Sequence, residues 1–390
     1  MQDVPPSPHA SKQDERIFRF IDQRGRYLSF VHACDEKQVI AARIAQEFSK
    51  LHLLPSSALR LFDAGIGDGT VLARTMAAAH HHFRDRSHYV VGKEISVEDV
   101  RLAINKMPDR LAEHPATVVV MTNLLYRDAP GLSLHAPKEG QAIVWHEEAL
   151  KGDSAYAFTD QITKLEKFFE ENWRATLNPA GIAVYDRPAV MVLYREDQLG
   201  KIGNLIPHEE EKKRADFDLA LASQPYQTRG KLDFKISRVI KPLAEALAPG
   251  GRLIGIHSQG GDPAEELIRE IYPGFKPFVH SAQDILKAAA QELTDQHYSF
   301  AEDPTPLIYR LLAFNRDNAD SIGTSVAHAA FNAAAYAAQV PEAEMQRVLS
   351  NDKYLTAAHR VLDRHKGMTF NDSVYTIARH AASHHPTPGG

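Results

Sequence analysis

Cysteine is almost absent from this chain. The single Cys34 among 390 residues excludes an internal disulfide framework and any metal cluster built on several thiolates, as expected for a reducing compartment. Cys34 itself reads as a small buried hydrophobe. Excess positive charge is missing too. With 45 Lys and Arg against 50 Asp and Glu, the net charge of -5 leaves no basic footprint for nucleic acid. No run approaches about 18 uninterrupted apolar residues, so no membrane-spanning helix is expected. The opening "MQDVPPSPHASKQDE" is polar and proline-rich without an apolar core, and residues 1–15 are expected to be a disordered lead rather than a signal peptide. These absences suggest a cytoplasmic, soluble protein. What is present is a hydrophobic share of 44%, enough for a large core with appended pieces.

The most informative stretch is "LFDAGIGDGT", residues 61–70. "ALRLFDAG" has the shape of a short buried parallel strand, and "TVLARTMAAAHHHF" after it is helical, with Thr70 as the expected N-cap. Strand, glycine loop and helix together make a ligand cradle, because glycine lacks a Cβ and tolerates positive φ. Dinucleotide loops run G-x-G-x-x-G and seat a pyrophosphate on the helix N-terminus. Here Gly65, Gly67 and Gly69 run G-x-G-x-G, with Asp63 before them and Asp68 among them. Two carboxylates repel a pyrophosphate and suit a cationic ligand.

This stretch resembles motif I of the class I S-adenosylmethionine-dependent methyltransferases, [D/E]-x-G-x-G-x-G after an apolar strand. The resemblance implies a Rossmann-like α/β fold whose seven-stranded sheet carries helices on both faces. It also implies a cofactor, S-adenosyl-L-methionine, whose ammonium and sulfonium are cationic. "HYVVGKEIS" is then the second strand, ending near Glu94, which would hold the ribose hydroxyls. "ATVVVMTN" is the third, with Asn123 as the adenine contact, Leu124 beside the ring and Asp128 as the rival.

Two segments compete for strand four, "QAIVWHEEAL" and "ADFDLALASQPYQ". The second is preferred, because a helix, "LAPGG" and the strand "RLIGIHS" follow it, as the family's L-x-P-G-G turn requires. The methyltransferase core then covers residues 16–138 and 215–316. Residues 139–214 become an insertion at the ligand end of the sheet, a lid or dimer contact, with a strand at 142–146, a long helix at 156–177 and a hairpin from 181. An echo of "LAPGG" in "LNPAG" leaves open that the insertion contains strand five. "HYSFAEDPTPLIYRLLAF" supplies two closing antiparallel strands, and residues 317–383 form an α-helical C-terminal extension, alanine-rich at its start and suited to a cap or a homodimer contact.

Ser223-Gln224-Pro225-Tyr226, at the end of strand four, resembles the [D/N/S]-x-P-[Y/F/W] motif of amine-methylating enzymes. The resemblance makes Ser223 a hydrogen-bond acceptor for the substrate and Tyr226 its stacking surface. His257, at the end of strand five, is the candidate general base. Tyr27, Phe30 and His32 are candidate substrate walls. No metal is expected: His146 and Glu148 share a strand face but lack the acid that metal-dependent relatives carry after strand four, and His80, His81 and His82 read as a solvated helix end. The expected activity is methyl transfer to a small molecule, at nitrogen. A nucleic-acid base methyltransferase and a non-catalytic S-adenosylmethionine-binding protein are the alternatives.

Overall fold

Short apolar segments whose residues alternate between two faces build one large sheet. The computed structural model describes residues 24–54, 57–178, 183–209, 215–294, 297–312 and 325–380, so the lead expected at residues 1–15 lies outside them. In chain order the strands are β1 (Leu59–Asp63), β2 (His88–Lys93), β3 (Thr117–Thr122), β4 (Val144–Leu150), β5 (Ala175–Leu177) and β6 (Ala183–Tyr185). They continue with β7 (Ala189–Arg195), β8 (Phe217–Ser223), β9 (Leu247–Ser258), β10 (Tyr298–Glu302), β11 (Leu307–Arg310) and β12 (Thr369–Arg379).

The main sheet runs β10-β12-β9-β8-β1-β2-β3-β7-β4, with β11 also on β12. β3, β2, β1, β8 and β9 are parallel neighbours in that order. The chain therefore winds from β1 to β3 on one side and returns through β8 and β9 on the other. That reversal opens a crevice at the carboxyl ends of β1 and β8, where doubly wound α/β proteins bind ligands. Alternation sets the two faces: Phe62, Val91, Val120 and Ala220 enter one apolar core, and Leu61, Val90, Val119 and Leu221 the other.

"ADFDLALAS" is indeed the strand beside β1, and "QAIVWHEEAL" forms β4 at the far edge. Several expectations need correction. Segment 139–214 does not stand apart from the sheet: β7 pairs antiparallel with β3, and β4 runs parallel to β7. Val190, Met191, Val192 and Leu193 are fully buried there, because a strand covered on both faces is apolar at every position. The expected long helix is two short ones, Ala155–Thr163 and Glu166–Asn172. The expected hairpin is divided, since β6 pairs with β5 in a small separate sheet while β7 joins the large one.

The C-terminal extension is not wholly helical. After three helices (Val326–Ala337, Glu342–Leu349 and Lys353–His365), the chain enters the sheet as β12, antiparallel to both β9 and β10. The sheet thus exceeds the seven strands expected, gaining β4, β7 and β12. The three tail helices pack with the N-terminal helix Arg24–Ala33 and with helix Pro263–Ile271 around Phe30, Phe331 and Ile268. Arg26 fastens the two ends of the chain together, donating to Asn332 at 2.9 Å and to Glu342 at 3.0 Å.

Candidate functional site

The glycine loop lies at the switch point, between β1 and helix Thr70–His82. Gly69 at φ +79° is the helix N-cap, not Thr70, whose hydroxyl donates to the Asp68 carboxylate. A Cβ on Gly69 would stand 2.5 Å from the Ala103 backbone, and one on Gly67, at φ +51°, would stand 2.3 Å from the Tyr27 hydroxyl. Glycine is therefore demanded by close approach as well as by dihedral angle.

Every backbone N–H from Gly65 to Thr70 already has a partner within the protein. Gly65 N donates to Asp63 Oδ1 at 3.1 Å, and Gly67 N to Glu94 Oε2 at 2.9 Å. Ile66 N and Gly69 N reach the carbonyls of Lys93 and Ile66, at 3.1 and 2.8 Å. Asp68 N donates to the Tyr27 hydroxyl at 3.1 Å, and Thr70 N to Asp68 Oδ1 at 3.3 Å. A phosphate-binding loop instead aims these groups at its ligand.

The loop opens into a cavity of about 620 Å³. Gly65, Gly67, Glu94 and Ser223 line it, together with Gln224 and Pro225. Sequence reasoning missed several other walls. Trp173 and Arg174 come from the segment expected to be an insertion, while Tyr336 and Gln339 come from the tail. Trp173 donates from Nε1 to the Glu94 carbonyl at 2.8 Å, so the inserted segment supports the second strand's acid. Gln339 accepts from Thr228 N at 2.9 Å and fastens the tail to the loop after β8. Tyr27 and Phe30 line the cavity, Phe30 also packing in a core cluster, whereas His32 is exposed.

Charge in the cavity is mixed. Glu36 is 4% exposed, and its Oε2 accepts no hydrogen bond although the Lys37 ammonium is 3.3 Å away. Burial is the largest single influence and works against the Lys37 charge, but Glu36, Tyr27, Tyr336 and Asp68 together hold the ammonium above its ordinary range. Asp63 lies beneath the loop rather than on the wall. Burial pushes its carboxyl up to about 7, opposed by the Gly65 N–H and by Lys37.

The remaining sequence candidates lie off the cavity. Asn123 is 1% exposed and holds the sheet edge: its amide nitrogen donates to Arg187 O at 2.8 Å, and its oxygen accepts from Ala189 N at 2.7 Å. Leu124 is fully buried in the core, and Asp128 accepts from His135 at 2.9 Å. Tyr226 is packed in the core with its hydroxyl 3.2 Å from that of Tyr375. The hydroxyl meeting the loop after Ser223 is that of Tyr126, which donates to Pro225 O at 2.8 Å. His257 is turned away from the cavity because side chains alternate along β9, so its neighbour Ser258 faces in instead. Neither ring nitrogen of His257 has a partner, and burial lowers its pKa to about 4.

Fold and site together define a doubly wound α/β protein with a cavity at its switch point and a carboxylate-braced glycine loop. No protein-family model matches the chain, and no curated protein matches it. Among solved structures, it is similar to a geranyl diphosphate methyltransferase in complex with GPP and sinefungin, at 12% identity over 87% of this chain and 78% of that one, with a TM-score of 0.32. It is similar to the plantazolicin methyltransferase BpumL in complex with a desmethylPZN analog and SAH, at 8% identity over 92% and 90%, with a TM-score of 0.33. A third is a putative class I S-adenosylmethionine-dependent methyltransferase from Listeria monocytogenes, at 7% identity and a TM-score of 0.31, aligned over 90% of this chain but 62% of that one.

Proposed function

We propose that this chain is an S-adenosylmethionine-dependent methyltransferase that acts on a small molecule, at nitrogen. The observation that carries the reading is the glycine loop whose N–H groups, from Gly65 to Thr70, are all taken by protein acceptors. Such a loop offers nothing to a pyrophosphate, while the carboxylates that consume its donors favour a cation. In this reading Glu94 retains lone-pair capacity toward the ribose hydroxyls, Asp63 provides negative potential under the ammonium, and Lys37 meets the carboxylate of the methionyl group. Trp173 and Ile95 offer apolar walls for the base in place of Asn123 and Leu124.

The cofactor, when bound, supplies an electrophilic methyl group. The residues of the chain then have to position a nucleophile about 3 Å from it and in line with the breaking C–S bond. Ser223 and the carbonyl of Pro225 are the acceptors that would orient a substrate N–H. Glu36, buried in the same cavity and ion-paired with Lys37 at 3.3 Å, is the carboxylate that can accept the proton the nucleophile loses.

The test is a thermal-shift titration with S-adenosylhomocysteine and, in parallel, with NADH. At about 100 times its dissociation constant a ligand adds about 2.7 kcal/mol of stability. The reading requires stabilisation by S-adenosylhomocysteine alone, reduced in Asp63→Ala, followed by transfer of labelled methyl to a metabolite fraction. Stabilisation by NADH alone would overturn it.

A further inference from the structure

We infer that His80, His88 and His114 form a zinc-binding site at the end of the sheet opposite the cavity. His80 is not the solvated residue that its "HHH" context suggests: it is 5% exposed, beside His88 at 0% and His114 at 5%. The three rings pile on one another, with centroids 4.0 Å apart for His88 and His114, 4.8 Å for His80 and His114, and 5.4 Å for His80 and His88. One ring nitrogen of each lies within 4.8 Å of one from each of the others.

Hydrogen bonds set which nitrogen of each ring is free. His80 Nδ1 faces the Glu113 carboxylate at 3.1 Å, an acceptor, so Nδ1 carries the proton and the lone pair is on Nε2. His88 Nε2 faces the Phe83 carbonyl at 3.2 Å, which leaves the lone pair on Nδ1. His114 Nε2 faces the Arg84 carbonyl at 3.3 Å, so its lone pair is also on Nδ1, where the Thr117 hydroxyl donates at 2.8 Å. His80 Nε2 and His88 Nδ1 have no partner at all despite their burial. Each of the three neutral imidazoles donates its other N–H to a carboxylate or backbone carbonyl, the supporting bond that metal-ligating histidines make.

Zinc is the ion that fits three imidazole nitrogens with a fourth position left to water. Zn–N bonds of about 2.1 Å put ligand nitrogens about 3.4 Å apart and the metal in the plane of each ring, so rings stacked at 8°, 19° and 27° to one another must rotate out of the stack to bind, and the Thr117 hydroxyl must turn away. The three ligands come from helix Thr70–His82, the first residue of β2 and the segment leading into β3. Zinc there would tie the helix end to the amino ends of two strands, roughly 20 Å along β2 from Glu94, and so takes no part in the reaction.

The test uses the full chain, stripped with chelator and titrated with zinc sulfate, then with cobalt(II) as a spectroscopic probe. The expected result is one tightly bound zinc, a higher melting temperature, and a cobalt complex with the intense visible absorption of four-coordination. His80→Gln, with its fold checked by circular dichroism, should lose at least ~10-fold in affinity, and Glu113→Gln about 10-fold through the supporting hydrogen bond. The exposed pair removed together, His81→Ala with His82→Ala, should keep the bound zinc. Absence of stoichiometric zinc in the wild-type chain would overturn the site. So would binding that survives His80→Gln but is lost with His81 and His82, since that describes a surface histidine tract.

Discussion

Gly67 N donates to Glu94 Oε2 at 2.9 Å, so the acid that ends the second strand also closes the glycine loop. Its other oxygen accepts from Ile95 N and Ser96 N, at 2.8 and 2.9 Å. Glu94→Gln keeps the shape but turns one acceptor into a donor that faces backbone N–H groups. Affinity for S-adenosylhomocysteine should fall about 10–100-fold, the worth of a hydrogen bond to a charged group. Isothermal titration calorimetry measures it, and an unchanged dissociation constant would remove Glu94 from the cofactor site.

Asp63 makes cofactor protection pH-dependent. Its folded pKa of about 7 lies above its unfolded value near 3.9, so between those limits the folded state holds the extra proton. Stability from this group is full at low pH and is lost as pH rises toward 7. A bound cation reverses the penalty on the carboxylate. The thermal shift produced by S-adenosylhomocysteine should therefore grow between pH 5 and pH 7.5, and should be flat in Asp63→Asn.

His257 titrates with the opposite sign. Its folded pKa of about 4 lies below its unfolded value near 6.5, so the unfolded chain binds the extra proton between them. Stability from this group is present above pH 6.5 and is lost as pH falls toward 4. His257→Leu removes one titrating group and two unpartnered nitrogens. The variant should show a shallower acid decline in urea midpoint while retaining wild-type turnover. A collapse of turnover with folding intact would restore His257 as a base.

Tyr126 and Tyr226 should separate under substitution to Phe. Tyr226→Phe loses a contact with Tyr375 in the core, which costs about 1 kcal/mol of stability and leaves kcat within about twofold. Tyr126→Phe frees the Pro225 carbonyl at the cavity wall and should lower kcat/KM by about tenfold through substrate misplacement. Steady-state kinetics with chemical denaturation assigns each effect.

Asn123→Ala should cost about 1–3 kcal/mol, because it strands buried polar groups of the Arg187 and Ala189 backbone. Urea denaturation reads the loss. Dissociation of S-adenosylhomocysteine from the folded variant should change little.

Local patterns carried the parallel half of the sheet. β1, β2 and β3 are short apolar runs bounded by turn residues, and the glycine loop is contiguous in the chain, so local spacing was enough to read them, whereas β8 was chosen over its rival through the family resemblance of the "LAPGG" turn that follows it. β7 and β12 were not legible in the same way. Each is an antiparallel strand brought in after a long excursion, and nothing in "AVMVLYR" or "TFNDSVYTIAR" says which edge it will pair with. The misplacement of Tyr226 and His257 has a related cause, since a residue at a strand end reaches the cavity only if its parity faces that way.

The sequence by itself therefore determined the ligand end of the fold: a strand, a glycine loop with two acids, and a helix, whose chemistry depends on neighbours along the chain. Only the tertiary structure decided what encloses that end. Tyr27, Lys37, Trp173, Tyr336 and Gln339 come from three distant segments and meet at one cavity. His80, His88 and His114 likewise meet only when helix and strands dock. Long-range packing sets such encounters, and no local periodicity records them.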